Sequence, residues 1–280
     1  MFYYQFAFTT GKKKNDKYNN SKFHYIYKVN PDCMKIVVLS FLLFFNCSQK
    51  NKEYHILNYS KKNTFSVLLF TKTNGFVHQD GIDAGINLIP KIGEKNGFNV
   101  YHSNVSKDIN EENLKKIKTI IFLNTTLNIL NEQEEQAMEN FIKKGGGFVG
   151  IHSAADTEYE WEWYGNLVGA YFKSHPPVTK AKIQTINNKH ISTKHLDDLW
   201  EINEEWYNYK NINPDITVLL NLDESSYSGG TNGNPHPITW YHEYKGGKSF
   251  YTGLGHLSET YADERFIKLL TGGILYVSNN

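Results

Sequence analysis

The sequence predicts an α/β fold with a doubly wound, mostly parallel sheet and added antiparallel strands in its second half. Three observations carry this. In the first half, short apolar β-rich runs alternate with helical periodicity, the pattern of parallel strands joined by crossover helices. A glycine-rich run, Gly145-Gly146-Gly147 with Gly150, leads into a strand and then a sharp turn toward a helix. In the second half, two strand patterns are separated only by Gly246-Gly247, which predicts a hairpin and not a crossover.

The elements follow in order. Residues 66–71 (Ser-Val-Leu-Leu-Phe-Thr) read as a buried parallel strand. Over 80–96, Ile82, Ile86 and Ile89 form one helix face; Pro90 is expected to kink or break it, and Gly97 to end it. Residues 98–102 give a second strand, 111–117 a short helix, and 119–124 a third strand. Asn131 opens the next helix, with Glu134 three residues on as a capping box; Ala137 and Phe141 face inward and Gly145 closes it. A fourth strand covers 147–152. Later, 178–186 alternates like a half-exposed strand, 216–222, 238–244 and 249–254 are further strands, and 263–276 is a closing helix. No internal repeat and no linker divides this stretch, so 64–280 is taken as one domain.

The residues before it read as a leader. Residues 1–33 are an upstream extension of the predicted gene or a disordered leader, and 34–47 a signal segment. Met34-Lys35 precedes an apolar run over 36–45, and Cys47 follows at once. Ten residues rise only about 15 Å as a helix, roughly half a bilayer core, so the run is not a spanning helix. The segment resembles a bacterial lipoprotein signal, in which the cysteine becomes the lipid-bearing first residue; Phe44, Phe45 and Asn46 stand where small residues usually precede it. Residues 48–63 form a polar tether. The expectation is export, with Cys47 as lipid anchor at a membrane surface, or a periplasmic protein if that cysteine is incidental. The membrane is met only through the anchor. With Cys33 outside the mature chain and Cys47 lipidated, no disulfide remains.

Charge excludes one partner class. Lys and Arg total 30 against 29 Asp and Glu, a net charge of +1, which gives no long-range field to hold nucleic acid. Arg265 is the only arginine, so a site built on forked guanidinium clamps is not expected.

Ligands of open α/β sheets bind beyond the carboxyl ends of the strands. His78 follows the first strand, His152 the fourth, and His256 the hairpin. Three histidines at three strand ends should converge on one rim. His152 occupies the turn at which many α/β enzymes present a nucleophile, but Gly-Ile-His-Ser-Ala is not a Gly-x-Ser-x-Gly elbow and no cysteine is present there. A phosphate-binding loop is the weaker reading, because no Gly-Lys-Ser/Thr follows. His175-Pro176-Pro177 either ends a loop or lines the pocket. Glu205 sits among Trp200, Trp206, Tyr207 and Tyr209, where burial is expected to raise its pKa. His55, His190 and His195 read as surface. Residues 228–234 read as a flexible loop able to close over a ligand.

These motifs resemble the ThuA-like (trehalose-utilisation) family. The residues that carry the resemblance are 67–70, Phe76 with His78, the Gly-Gly-Gly-x-x-Gly-x-His run ending at His152, His175-Pro176, Glu205 with Tyr207, Pro237-x-x-Trp240, and Tyr251-Thr252-x-Leu254-Gly255-His256. Glu204 departs from the aspartate expected there and keeps its charge. The resemblance covers about 66–277. It implies a flavodoxin-like, class I glutamine-amidotransferase-like fold without the amidotransferase cysteine, and a link to disaccharide or glycoside catabolism.

Two function classes are weighed: an enzyme acting on a sugar or oxidised sugar by hydrolysis, elimination or isomerisation, and a non-catalytic carbohydrate-binding or accessory domain. Imidazoles beside a carboxylate favour the enzyme. In that reading His152, Glu205 and His175 are catalytic, with His152 as general acid or base and Glu205 its partner. His78, Trp206, Tyr207, His236, Trp240 and His256 contact the substrate, a small sugar or glycoside. A carboxylate pair of the usual glycosidase kind is not placed. No cofactor is expected. A transition metal on His78, His152, His175, His256 and Glu205 is the alternative, but no spacing such as His-Glu-x-x-His supports it.

Overall fold

The computed structural model describes residues 64–279. The signal segment, Cys47 and the tether lie outside the described residues. Among the described residues no helix is long and apolar enough to cross a membrane.

The strands are β1 (Phe65–Phe70), β2 (Phe98–Ser103), β3 (Thr119–Leu123), β4 (Gly147–Ile151), β5 (Tyr171–Ser174), β6 (Thr179–Thr185), β7 (Leu199–Glu204), β8 (Asn208–Lys210), β9 (Thr217–Asp223), β10 (Pro237–Tyr244) and β11 (Gly247–Thr252). Nine of them form one sheet in the order β2-β1-β3-β4-β11-β10-β9-β6-β7. β2, β1, β3, β4 and β11 run parallel; from β11 through β10, β9 and β6 to β7 every pairing is antiparallel. β5 and β8 make a separate antiparallel ribbon. The expected fold class is therefore the observed one.

Among the described residues, five α-helices accompany the sheet: α1 (Gln79–Asn96), α2 (Glu111–Leu114), α3 (Glu132–Lys143), α4 (Glu162–Val168) and α5 (Glu264–Ser278). Alternation along β4 shows the double winding. A side chain at Gly147 would strike the carbonyl of Val277 in α5, whereas the next residue, Phe148, packs edge-on against Tyr164 of α4. Successive side chains point to opposite faces, so α5 and α4 cover opposite sides of the sheet. β1, β3 and β4 are almost wholly apolar and buried, as a strand covered on both faces must be.

Local signals behave as their chemistry requires. Asn131 and Glu134 form the reciprocal capping box of α3, and Gly97 ends α1 in the left-handed conformation. Two expectations shift. α1 runs on through Pro90 without a break, because Ile89, Ile92 and Gly93 bury the helix against the sheet on both sides of the missing N–H. The β10–β11 turn uses Lys245 and Gly246, both at positive φ, and Gly247 is already in β11. The positive dihedrals match the twist of the flanking strands.

Candidate functional site

The parallel pairing places the carboxyl ends of β1, β3, β4 and β11 along one edge. His78, at the entry to α1, follows β1; Asn124 follows β3; His152 follows β4; and the Gly253–His256 loop follows β11. β5 and β8 bring in the other half. Their register sets Ser174 opposite Asn208, so His175, just after β5, meets Glu205-Trp206-Tyr207, the three residues joining β7 to β8.

His152 is fully buried and holds φ at 49°. This left-handed conformation is costly for a side chain with a Cβ and persists because its surroundings fix it. The Tyr251 hydroxyl donates to the His152 carbonyl at 2.8 Å. The His152 ring is fixed as well: Nδ1–H donates to the Gly253 carbonyl at 2.9 Å, so the other nitrogen, Nε2, faces the pocket. There it meets Glu205 Oε2 at 3.2 Å and His256 Nδ1 at 3.2 Å.

Glu205 is the centre of the arrangement. Its Oε2 lies 3.2 Å from His256 Nδ1 and 3.8 Å from His78 Nε2, and its Oε1 lies 3.1 Å from His175 Nδ1. His78 Nδ1 bonds Ser153 Oγ at 3.2 Å. The Tyr207 hydroxyl reaches His78 Nε2 at 3.5 Å, and its ring lies against His152 and Phe172. One ligand-capable atom from each of His78, His152, Glu205 and His256 falls within 4.8 Å of the others.

The charge states follow from these contacts. Burial pushes the His152 pKa down to about 4, although the Glu205 hydrogen bond opposes it. Burial also lowers the His256 pKa, but the hydrogen bond and charge of Glu205 outweigh it and carry the group above its ordinary value. For Glu205 the expectation from sequence is reversed. Burial alone would raise its pKa, but the imidazoles of His152, His256 and His78 gathered around Oε2 hold the carboxyl well below the usual range.

Glu204 anchors the rim. Its Oε1 accepts from the Gly255 N–H at 2.8 Å, the His256 N–H at 3.2 Å and the Thr260 hydroxyl at 2.6 Å, and Oε2 accepts from the Glu205 N–H at 3.0 Å. Gly255 sits at φ 112°, where a Cβ is strained. Asn124 Nδ2 and the Tyr261 hydroxyl both donate to the Gly255 carbonyl.

Not every expected residue reaches this pocket. Trp206 and Trp240 are fully buried, with indole N–H groups bonded to the carbonyls of Thr179 and Val168, and neither offers a face to a ligand. Each is a core residue whose apolar body wins over a rim position. His236 is also buried. Its Nε2–H donates to the Tyr207 carbonyl and its Nδ1 lies 2.8 Å from Glu224 Oε1, so it positions the Glu205–Tyr207 segment without facing the pocket. The loop over 228–234 is tied to β8: Asn208 and Tyr209 bond Gly229, Thr231 and Asn232. His190 is half-buried between Tyr241 and Tyr276, not on open surface. The exposed ring at the rim is Phe76, which packs edge-on against His78; Val77 and Leu127 are also exposed. Its place after β1, in a polar loop, was the available signal.

The family model for ThuA, trehalose utilisation, matches residues 66–277. The chain belongs to the ThuA family. A ThuA-like protein from Bacteroides uniformis ATCC 8492 is 27% identical, with a TM-score of 0.69 over 79% of this chain and 94% of that one. A second, from Parabacteroides merdae ATCC 43184, is 16% identical, with a TM-score of 0.63 over 78% and 91%. A cytoplasmic protein from Salmonella typhimurium LT2 shares the fold at 10% identity and a TM-score of 0.56 over 76% and 99%. No curated protein matches the sequence. The fold is of the flavodoxin-like, class I glutamine-amidotransferase-like kind. No cysteine lies among the described residues, and a histidine stands at the elbow after β4.

Proposed function

We propose that this protein is a sugar-processing enzyme that acts on a disaccharide, a glycoside or an oxidised sugar by acid–base chemistry. The observation that carries the reading is Glu205: one carboxylate meets the buried His152 and the half-buried His256 through Oε2 and the exposed His175 through Oε1. His175 Nδ1 faces two acceptors, Glu205 Oε1 and the Pro176 carbonyl. That nitrogen therefore carries the proton and leaves Nε2 as the base. Such a pair lets Nε2 take a proton from a substrate hydroxyl or from carbon beside a carbonyl, while Glu205 stabilises the imidazolium formed. His152 shapes the carboxylate from within, and Tyr207 and His78 close the floor. Phe76 takes the stacking role that Trp206 and Trp240 cannot fill.

The reading extends to location. The apolar run over 36–45 and Cys47 support export with a lipid anchor. Lipid labelling of wild type and Cys47→Ala is expected to label the wild type alone; equal labelling would remove the anchor.

The central test is a screen of disaccharides and their keto derivatives against wild type, His175→Ala and Glu205→Gln. Turnover by wild type with a loss of about 10²-fold or more in His175→Ala, and binding kept, supports the roles given. Wild type that binds sugars without turnover, with the variants binding equally, would make this an accessory binding domain.

A further inference from the structure

Three imidazoles in the pocket stand in a nearly regular triangle. The ring centroids of His78 and His152 are 4.9 Å apart, those of His78 and His256 5.1 Å, and those of His152 and His256 5.1 Å. Their planes cross at 82°, 87° and 75°. They come from three separate strand ends, and each turns one nitrogen toward Glu205 Oε2. Stacking or simple core filling gives no reason for this mutual edge-on arrangement around one oxygen.

The hydrogen bonds sharpen the point. A carbonyl only accepts, so the Gly253 contact places the proton of a neutral His152 on Nδ1. Its Nε2 then turns a lone pair toward a carboxylate oxygen 3.2 Å away. His78 is arranged alike, with Nδ1 on Ser153 Oγ and Nε2 facing the Tyr207 hydroxyl and Glu205. A proton on His256 Nδ1 relieves one of these contacts at a time, whereas a single cation among the four atoms serves all of them together.

We propose that His78 Nε2, His152 Nε2, His256 Nδ1 and Glu205 Oε2 bind one divalent transition metal ion. Four ligands about 2.0–2.1 Å from a zinc ion lie about 3.3 Å from one another in a tetrahedron. The contacts among His152, His256 and Glu205 are each 3.2 Å, and that from His78 to Glu205 is 3.8 Å. Nitrogen-rich ligands with one carboxylate suit zinc and its first-row neighbours. The supporting contacts are those of metal sites, where a ligating imidazole gives its other N–H to a backbone carbonyl or hydroxyl and so fixes its ring. Gly253 does this for His152 and Ser153 for His78, while Glu204 holds the His256 backbone. His175 stays outside the set, on the other carboxylate oxygen. The ion would supply an electrophile beside the His175 base of the sugar-processing reading, but the site rests on ligand geometry alone and its test needs no turnover.

The full chain, purified without chelator, is loaded with Zn²⁺, passed through a desalting column and assayed for metal; a second sample is loaded with Co²⁺. The expected result is one zinc per chain, a melting temperature raised by several degrees, and visible cobalt absorption of a four- or five-coordinate nitrogen and oxygen site. His256→Ala and Glu205→Gln, chosen because His152 is too deeply packed to remove safely, should each weaken zinc binding by about 10²-fold or more, while His175→Ala retains it. Retention of less than about a tenth of an equivalent with unchanged melting, or wild-type zinc binding in His256→Ala, overturns the site. Stoichiometric zinc without any sugar turnover leaves the metal site standing and removes the sugar-processing reading; turnover without zinc does the reverse.

Discussion

Glu204 grips the backbone N–H of His256 with both carboxylate oxygens, at 3.2 and 3.3 Å. The neighbouring carboxylate, Glu205, turns into the pocket. Two acids adjacent in sequence thus divide the work: one builds the loop that the other uses. Glu204 is fully buried and satisfies the N–H groups of Gly255, His256 and Glu205 together with the Thr260 hydroxyl. Removing it leaves several buried donors without acceptors, each costing about 1–3 kcal/mol. Glu204→Ala is therefore expected to destabilise the protein by roughly 3–5 kcal/mol in urea unfolding. Glu204→Gln, which keeps one acceptor oxygen, should lose about half as much or less. Equal stability of Glu204→Ala and wild type would show that the loop stands without its anchor.

His190 supplies a pH dependence far from the pocket. It stacks on Tyr241 and meets Tyr276 edge-on, and its Nδ1 contacts the hydroxyl and N–H of Ser192. Burial pushes its pKa down to about 4. The unfolded chain binds this proton near the ordinary imidazole pKa of about 6.5. Between these values the unfolded state holds more protons, so stability rises with pH across the window and falls on acidification. The urea midpoint of wild type should drop between about pH 6.5 and 4 more steeply than that of His190→Phe. Parallel curves for the two proteins would remove His190 as a source of the acid sensitivity.

The parallel half of the fold was legible because its signals are local. Strands such as 119–123 are continuous apolar runs, and Asn131 with Glu134 marks a helix start by side-chain chemistry alone. The histidines at three strand ends were legible for the same reason, since strand polarity fixes the edge on which they emerge. What could not be read was the β5–β8 ribbon. Tyr171–Ser174 and Asn208–Lys210 are four and three residues long, too short for a period, and their pairing alone sets His175 beside Glu205. The fate of the indoles was hidden similarly. Trp206 and Trp240 look alike whether they face solvent or core, and the decision rests on the carbonyls of Thr179 and Val168, residues remote in sequence. The Glu205 pKa was misjudged because aromatic neighbours are visible in the sequence, whereas imidazoles converging from 53 residues before it and from beyond β11 are not.

Phe76 and Trp240 separate surface from core. Phe76 is 68% exposed at the rim and lies against the edge of His78. Trp240 is buried, stacked on Tyr251 with ring centroids 4.4 Å apart, and its indole N–H donates to Val168 at 2.9 Å. Truncating an exposed ring costs little stability, because little apolar surface returns to water. Phe76→Ala should therefore unfold within about 0.5 kcal/mol of wild type. If a sugar ring rests on it, the same change should weaken sugar binding by about tenfold, the loss of one stacking contact. Trp240→Ala should behave oppositely. It opens a cavity and orphans the Val168 carbonyl, for a loss of about 3–5 kcal/mol. The milder Trp240→Phe, which keeps most of the ring volume, should remain folded and bind sugar as wild type does. Urea unfolding and calorimetric titration with a disaccharide on the same four proteins read both effects. Weakened binding in Trp240→Phe with unchanged binding in Phe76→Ala would return the platform to the tryptophan and reject the rim assigned to Phe76.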